Sequence, residues 1–317
     1  MKIIMPDFVL PSVAEQTCAL LETCDFVTIN SEGQLSGEIA GAEVFMLPWQ
    51  VPSEVLQTIL ALPTLRWVHT MSAGVDHALN ALRDQEGLLI TNASGVFDIP
   101  IAETVLGYML AIVKRFPEFL TQQQARQWQL LRLRELRGLT VGIVGLGSIG
   151  QEIAQRCQAL GMRVYATRRH AERGAAHVDV LLSNEALPEL LAASDFVVLA
   201  VPLTAETTGL IGAAELQQMS ADAWLINIAR GAVVDEAALI AALQSGEIGG
   251  AALDVFATEP LPPDSALWTL PNVIITPHNA WSTPHARDRQ AQLFLDNLSR
   301  YLENQPLRNV IDLQRGY

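Results

Sequence analysis

Three polar residues stand just beyond apolar runs, where chemistry could be done: Arg230 in INIARGAVVDE, Glu259 in LDVFATEPLP and His278 in ITPHNA. Their types complement one another. An arginine fork can hold a carboxylate and orient the carbonyl beside it. A histidine, whose ordinary pKa lies close to neutrality, can deliver or remove a proton. A neighbouring carboxylate favours the imidazolium and fixes the ring. Together they suit the reduction of a small 2-keto acid, whose carbonyl carbon takes a hydride and whose oxygen takes a proton. Alone, His278 equally fits a structural histidine, and Arg230 or Glu259 is more often a surface charge. What separates the readings is a source of hydride.

GLGSIG, Gly145 to Gly150, offers a place for one. The pattern is weak alone, but here it follows the apolar run VGIV and opens SIGQEIAQRCQAL, a helical stretch ending at Gly161. Gly145 makes the tight turn, Gly147 lets the backbone approach a pyrophosphate, and Gly150 brings helix and strand together. The first helical turn, starting with Ser148 and Ile149, presents free amides and the positive dipole end to phosphates. An NAD site places an acid roughly 20 residues after the glycines, for the ribose 2′-hydroxyl. That place is taken here by Thr167, Arg168 and Arg169 in VYATRRH. A carboxylate repels a 2′-phosphate, whereas arginines grip it and a threonine hydroxyl donates to it. The expectation is NADP(H) as the preferred cofactor, with NAD(H) second.

The elements that must position these groups alternate along the chain. KIIM, FVTI, VFML, RWVHT and LLIT read as strands before residue 92, with helical spacing at Ser12–Leu21 and Ser53–Ala61. A second series follows in TVGIVG, MRVYAT, DFVVLA, WLINIA, AALDVF and VIITP. Alternation of this kind predicts parallel βαβ units. Between the series, Asp98 reads as a helix cap and Pro100 as a first-turn residue. The stretch 286–303 reads as an amphipathic helix with Phe294, Leu298, Tyr301 and Leu302 on one face. The fold expected is α/β: two Rossmann-like or flavodoxin-like lobes with parallel sheets, the nucleotide lobe (99–284) inserted into a substrate lobe (1–98 plus 285–317). Small ligands favour the cleft in such a pair.

Composition narrows the function. The net charge of −14, with no basic run longer than Arg168-Arg169-His170, excludes a nucleic-acid partner held by its phosphates. Cys18, Cys24 and Cys157 lack metal-ligand spacing and form no even set, so they read as reduced thiols of a cytoplasmic protein without a metal site. The longest apolar stretch, TVLGYMLAIV, is too short for a bilayer span of about 20 residues.

GIVGLGSIG, VPLTAETTGLI, LINIARGAVVDEAAL, AALDVFATEPLP and ITPHNA together resemble the D-isomer-specific 2-hydroxyacid dehydrogenases, over essentially the whole chain. Within that family, the arginines after the second strand resemble those of NADPH-using glyoxylate and hydroxypyruvate reductases. The resemblance implies that Arg230 binds substrate, His278 is the acid/base and Glu259 its partner. Asp254 then meets the nicotinamide carboxamide, while Val201, Pro202, Ile228 and Ala280 line the cofactor. MSAGVDH (Met71–His77) is similar to the family's carboxylate-binding loop, with the amides around Ala73 and Gly74 as the anion nest. Trp49 in LPWQVP reads equally as a pocket wall or as packing, and so does Trp281. The helix over 101–113 and RFPEFLTQQQARQWQLLRL resemble a dimerisation arm, which implies a homodimer. A second functional reading on the same fold is a nucleotide-sensing, corepressor-like regulator.

Overall fold

The computed structural model describes residues 1–16, 23–76, 81–83, 85 and 87–313. Cys18, the far end of the expected Ser12–Leu21 helix and His77 lie outside the described residues. The chain divides into two compact units, Met1–Phe97 with Ser282–Tyr317, and Asp98–Trp281.

In the first unit, β1 (Lys2–Pro6), β2 (Asp25–Ile29), β3 (Ala42–Leu47), β4 (Trp67–Thr70) and β5 (Leu89–Thr91) form a parallel sheet in the order β2-β1-β3-β4-β5. Alternation along each strand serves two cores. Ile4, Phe45 and Val68 pack on one side; Ile3, Met5, Val44, Met46 and Trp67 pack on the other. The helix Ala286–Leu302 covers the second side with Ala291, Phe294, Leu295 and Leu298. Trp67 stacks on both Phe294 (5.3 Å) and Tyr301 (5.6 Å). Leu302, expected on that face, is exposed. Eight residues beyond Phe294, it is turned about 80° off the stripe at 3.6 residues per turn.

His69 is fully buried under this helix and packs against Phe294. Trp67 Nε1 donates to Thr91 Oγ1, and the same hydroxyl hydrogen-bonds His69 Nδ1 at 2.8 Å. Burial keeps the ring neutral, pushing its pKa from 6.5 down to about 3. Between those values the unfolded chain binds a proton that the folded chain refuses. The stability is therefore complete above pH 6.5 and falls as pH drops toward 3. Each pKa unit is worth about 1.4 kcal/mol, so His69 should cost about 2 kcal/mol between pH 7 and pH 5. Urea unfolding at both pH values is expected to show that loss in the wild type and its disappearance in His69→Asn. Equal pH slopes in the two proteins would contradict it.

The second unit holds β6 (Thr140–Val144), β7 (Arg163–Thr167), β8 (Val180–Leu182), β9 (Phe196–Leu199), β10 (Trp224–Asn227), β11 (Gly250–Leu253) and β12 (Val273–Ile275). They make a second parallel sheet, in the order β12-β11-β10-β9-β6-β7-β8. The strand order reverses between β6 and β9, the switch point at which open α/β sheets bind ligands. Strands β10 and β12 stop two residues, and β11 three residues, earlier than their apolar runs suggest. Ile228 to Arg230, Asp254 and Thr276 to His278 therefore lie in loops at the carboxyl edge. Among the described residues, no helix is long and apolar enough to cross a membrane.

Candidate active site

The glycine loop follows β6 directly. Gly145 adopts φ +98°, and a Cβ there would sit 2.7 Å from Val201 Cγ1 and 2.8 Å from the Ala200 carbonyl. Only glycine fits this crossing of the β6 and β9 ends. A Cβ on Gly150 would meet the Gly145 carbonyl at 2.3 Å, so its absence lets the helix Ser148–Ala159 start against the strand. Beside Gly147, by contrast, the space is open, and no side chain caps the helix that it precedes. Those first-turn amides, Ser148 and Ile149 included, fit a pyrophosphate. Ser148 Oγ itself donates to Asp98 at 3.2 Å. Asp98, expected as a cap, lies within the first turn of the helix Asp98–Val113.

The arginine triplet divides into three different environments. Val144 pairs with Thr167, so the residues after β7 stand next to the glycine turn. Thr167 is buried, and its Oγ1 accepts the Gly145 amide at 3.3 Å. The hydroxyl expected to meet a ribose phosphate instead braces the loop from beneath, because strand alternation turns it inward. Arg169 pairs with Glu206 at 2.8 Å. Arg168 is half-buried, its amide donates to the Leu182 carbonyl, and no carboxylate reaches its guanidinium among the described residues. Val201 is half-buried, Pro202 exposed and Ile228 buried.

Two loops, after β11 and β12, bring the acid/base group together. His278 Nδ1 and Glu259 Oε2 are 2.7 Å apart, and Glu259 Oε1 accepts the Phe256 amide at 3.0 Å. The carboxylate is thus clamped, the proton on Nδ1 is committed to it, and Nε2 has no partner among the described residues. His278 holds φ +51°, a conformation unusual for its type. Asp254 explains how that is sustained. Its Oδ1 accepts the Thr276 hydroxyl and the Asn279 amide, its Oδ2 accepts the Ala280 amide, and its carbonyl accepts the His278 amide. Expected to meet a nicotinamide, this buried carboxylate fills three of its roughly four acceptor positions with the loop that carries His278. Tyr108 donates to Thr276 Oγ1 and completes the chain; burial and the nearby Asp254 charge push its phenol up to about 12. Neither Tyr108 nor Thr276 stood out in the sequence, where one sits in an apolar helix and the other ends an apolar strand.

Arg230 leaves β10 on a turn tied by Asn227, which donates from Nδ2 to the Arg230 carbonyl and accepts the Ala229 amide. Its Nη1 donates to the Ala229 carbonyl at 2.8 Å.

In the first unit, the loop after β4 has the carbonyls of Met71, Ser72, Ala73 and Gly74 tied back. Trp49 Nε1 and Gln290 Nε2 both donate to Met71, Thr70 Oγ1 and the Ala93 amide to Ser72, Asn92 Nδ2 to Ala73, and Ser72 Oγ to Gly74. The amides of Ser72, Ala73 and Gly74 donate to nothing among the described residues and are half-exposed. Successive free amides of this kind form an anion nest. Trp49 is half-exposed, stacked on Phe8 at 6.4 Å, and turns its polar edge to the loop.

A family model for the NAD binding domain of D-isomer specific 2-hydroxyacid dehydrogenases matches residues 106–280. Glyoxylate/hydroxypyruvate reductase B of Pectobacterium atrosepticum is 39% identical over 264 residues, covering 80% of each protein. D-3-phosphoglycerate dehydrogenase of Archaeoglobus fulgidus is 35% identical over 288 residues; the match covers 89% of this chain and 54% of that longer protein. A D-isomer specific 2-hydroxyacid dehydrogenase from Xanthobacter autotrophicus, solved with NADPH and MES, is similar at a TM-score of 0.88 and 31% identity, over 100% of this chain and 99% of that one. The chain belongs to the D-isomer specific 2-hydroxyacid dehydrogenase family. It is an NAD(P)-dependent oxidoreductase.

Proposed function

We propose that this protein reduces a small 2-keto acid, such as glyoxylate or hydroxypyruvate, to the D-2-hydroxy acid with NADPH. The observation that carries the reading is the His278–Glu259 pair, which commits Nδ1 and leaves Nε2 to act on substrate. The nicotinamide, when bound, supplies the hydride. Arg230 binds the substrate's carboxylate and carbonyl oxygen, and the Ala73 and Gly74 amides take the carboxylate as well. His278 Nε2–H gives its proton to the carbonyl oxygen while Glu259 holds the imidazolium in place. Asp254 keeps the His278 loop in its unusual conformation. Arg168 and Arg169 favour the 2′-phosphate, with Arg169 exchanging Glu206 for it. Trp49 closes the substrate side. Steady-state rates on glyoxylate, hydroxypyruvate, pyruvate and phenylpyruvate with both cofactors test this. Turnover of at least one acid, with NADPH ahead of NADH, is expected. NADPH binding without any turnover would leave the nucleotide-sensing regulator instead.

The partner that we propose is a second copy of the chain. Phe116, Leu120 and Leu133 are exposed, and Trp128 and Leu130 are 95% and 94% exposed. So many large apolar groups on one stretch mark a contact surface, and a closed dimer covers it symmetrically. Trp128→Asp is expected to halve the mass seen by sedimentation equilibrium; an unchanged mass, or a monomeric wild type, would refute it.

A further inference from the structure

We infer that Gln290 is a positioning residue for substrate, acting from the helix Ala286–Leu302 through the Met71 carbonyl. The inference rests on the reading that the Ala73 and Gly74 amides bind the substrate's carboxylate. Gln290 is buried, and its Nε2 donates to the Met71 carbonyl at 2.6 Å. The assignment of nitrogen to that end is forced, because a carbonyl only accepts. The other end, Oε1, is buried with no partner among the described residues. An orphaned buried acceptor is destabilising, and an apolar side chain of the same shape avoids that cost. Packing alone therefore disfavours glutamine here, and its benefit lies at the nitrogen end.

What that nitrogen does is orient a peptide plane. Together with Trp49 Nε1 at 3.0 Å it fills both lone pairs of the Met71 carbonyl. With that oxygen pinned, the Met71–Ser72 peptide turns its N–H the opposite way, the first of the three free amides. Asn92 does the same two residues later, at 2.7 Å to the Ala73 carbonyl. Losing the Gln290 donor lets the first plane rotate and misaligns the nest without touching the proton donor or the glycine loop.

Gln290→Met keeps the volume and removes both the donor and the orphaned oxygen. It should raise KM for the keto acid, and the inhibition constant of oxalate as an unreactive anion, by about tenfold. Values of kcat and KM for NADPH should stay within about threefold. Asn297→Leu is the control. Asn297 is equally buried on the same helix but bonds to Arg308 and to no residue of the Met71–Gly74 stretch, so its loss should lower the melting temperature without moving KM or oxalate inhibition. Gln290→Leu repeats the measurement if the methionine variant is not recovered. Unchanged KM and oxalate inhibition in Gln290→Met, beside a wild type that turns over, overturns the inference. An inactive wild type overturns the underlying reading instead.

Discussion

Replacing His278 by asparagine is expected to lower kcat by about 10²- to 10⁴-fold, the usual worth of a positioned general acid, while leaving NADPH binding intact. Asparagine is the informative substitution because residue 278 holds φ +51°, which asparagine tolerates better than alanine. The Asp254 hydrogen bonds to the Asn279 and Ala280 amides should then survive, so any loss belongs to the proton donor and not to a collapsed loop. Glu259 loses its partner but stays clamped by the Phe256 amide. Quenching of protein fluorescence gives the NADPH dissociation constant, and single-turnover mixing gives the chemical step. A variant with near-normal kcat would mean that the proton comes from elsewhere.

Arg168→Asp is expected to reverse cofactor preference, weakening NADPH by about 10²-fold and leaving NADH unchanged or tighter. A charge-assisted hydrogen bond contributes about 1.5–3 kcal/mol, and the new carboxylate adds repulsion to its loss; a tenfold change needs about 1.4 kcal/mol. The choice of residue follows from the structure. Arg169 is engaged by Glu206 and Thr167 is buried beneath the glycine turn, so Arg168 is the member of the triplet with the most to give. The carboxylate takes the place where an NAD site carries its acid. KM for both cofactors, measured on one preparation, decides the matter. An unaltered NADPH preference would remove Arg168 from the site.

The sequence was most readable where one local rule fixes the outcome. Gly145, Gly147 and Gly150 each have the surroundings that their spacing implies, because the turn, the open space and the close approach are all decided within six residues. Arg230, Glu259 and His278 were visible as polar groups at the ends of apolar runs. Their pairing was legible in part, since the two ring and carboxylate atoms meet only when β11 and β12 lie side by side. What stayed hidden depends on direction or distance. Thr167 and Arg168 are neighbours, yet strand alternation buries one hydroxyl under the loop. The hold of Asp254 on Thr276, Asn279 and Ala280 exists only once the loop after β12 folds over both its oxygens. Gln290 lies 219 residues from the carbonyl that it orients, and no local pattern links the two. The strand Val180–Leu182 was missed because three half-buried edge residues carry almost no period.

The central claim is that this site moves a hydride to C2 of a keto acid and a proton to its oxygen. The most direct measurement mixes the protein with hydroxypyruvate and NADPH deuterated at C4 of the nicotinamide, using each of the two C4 epimers in turn. With one epimer, the account predicts glycerate carrying a single deuterium at C2, in the D configuration by chiral separation, with one NADPH consumed per product. Product without deuterium from either epimer, L-glycerate, or intact NADPH after prolonged incubation with every keto acid of the panel would contradict it.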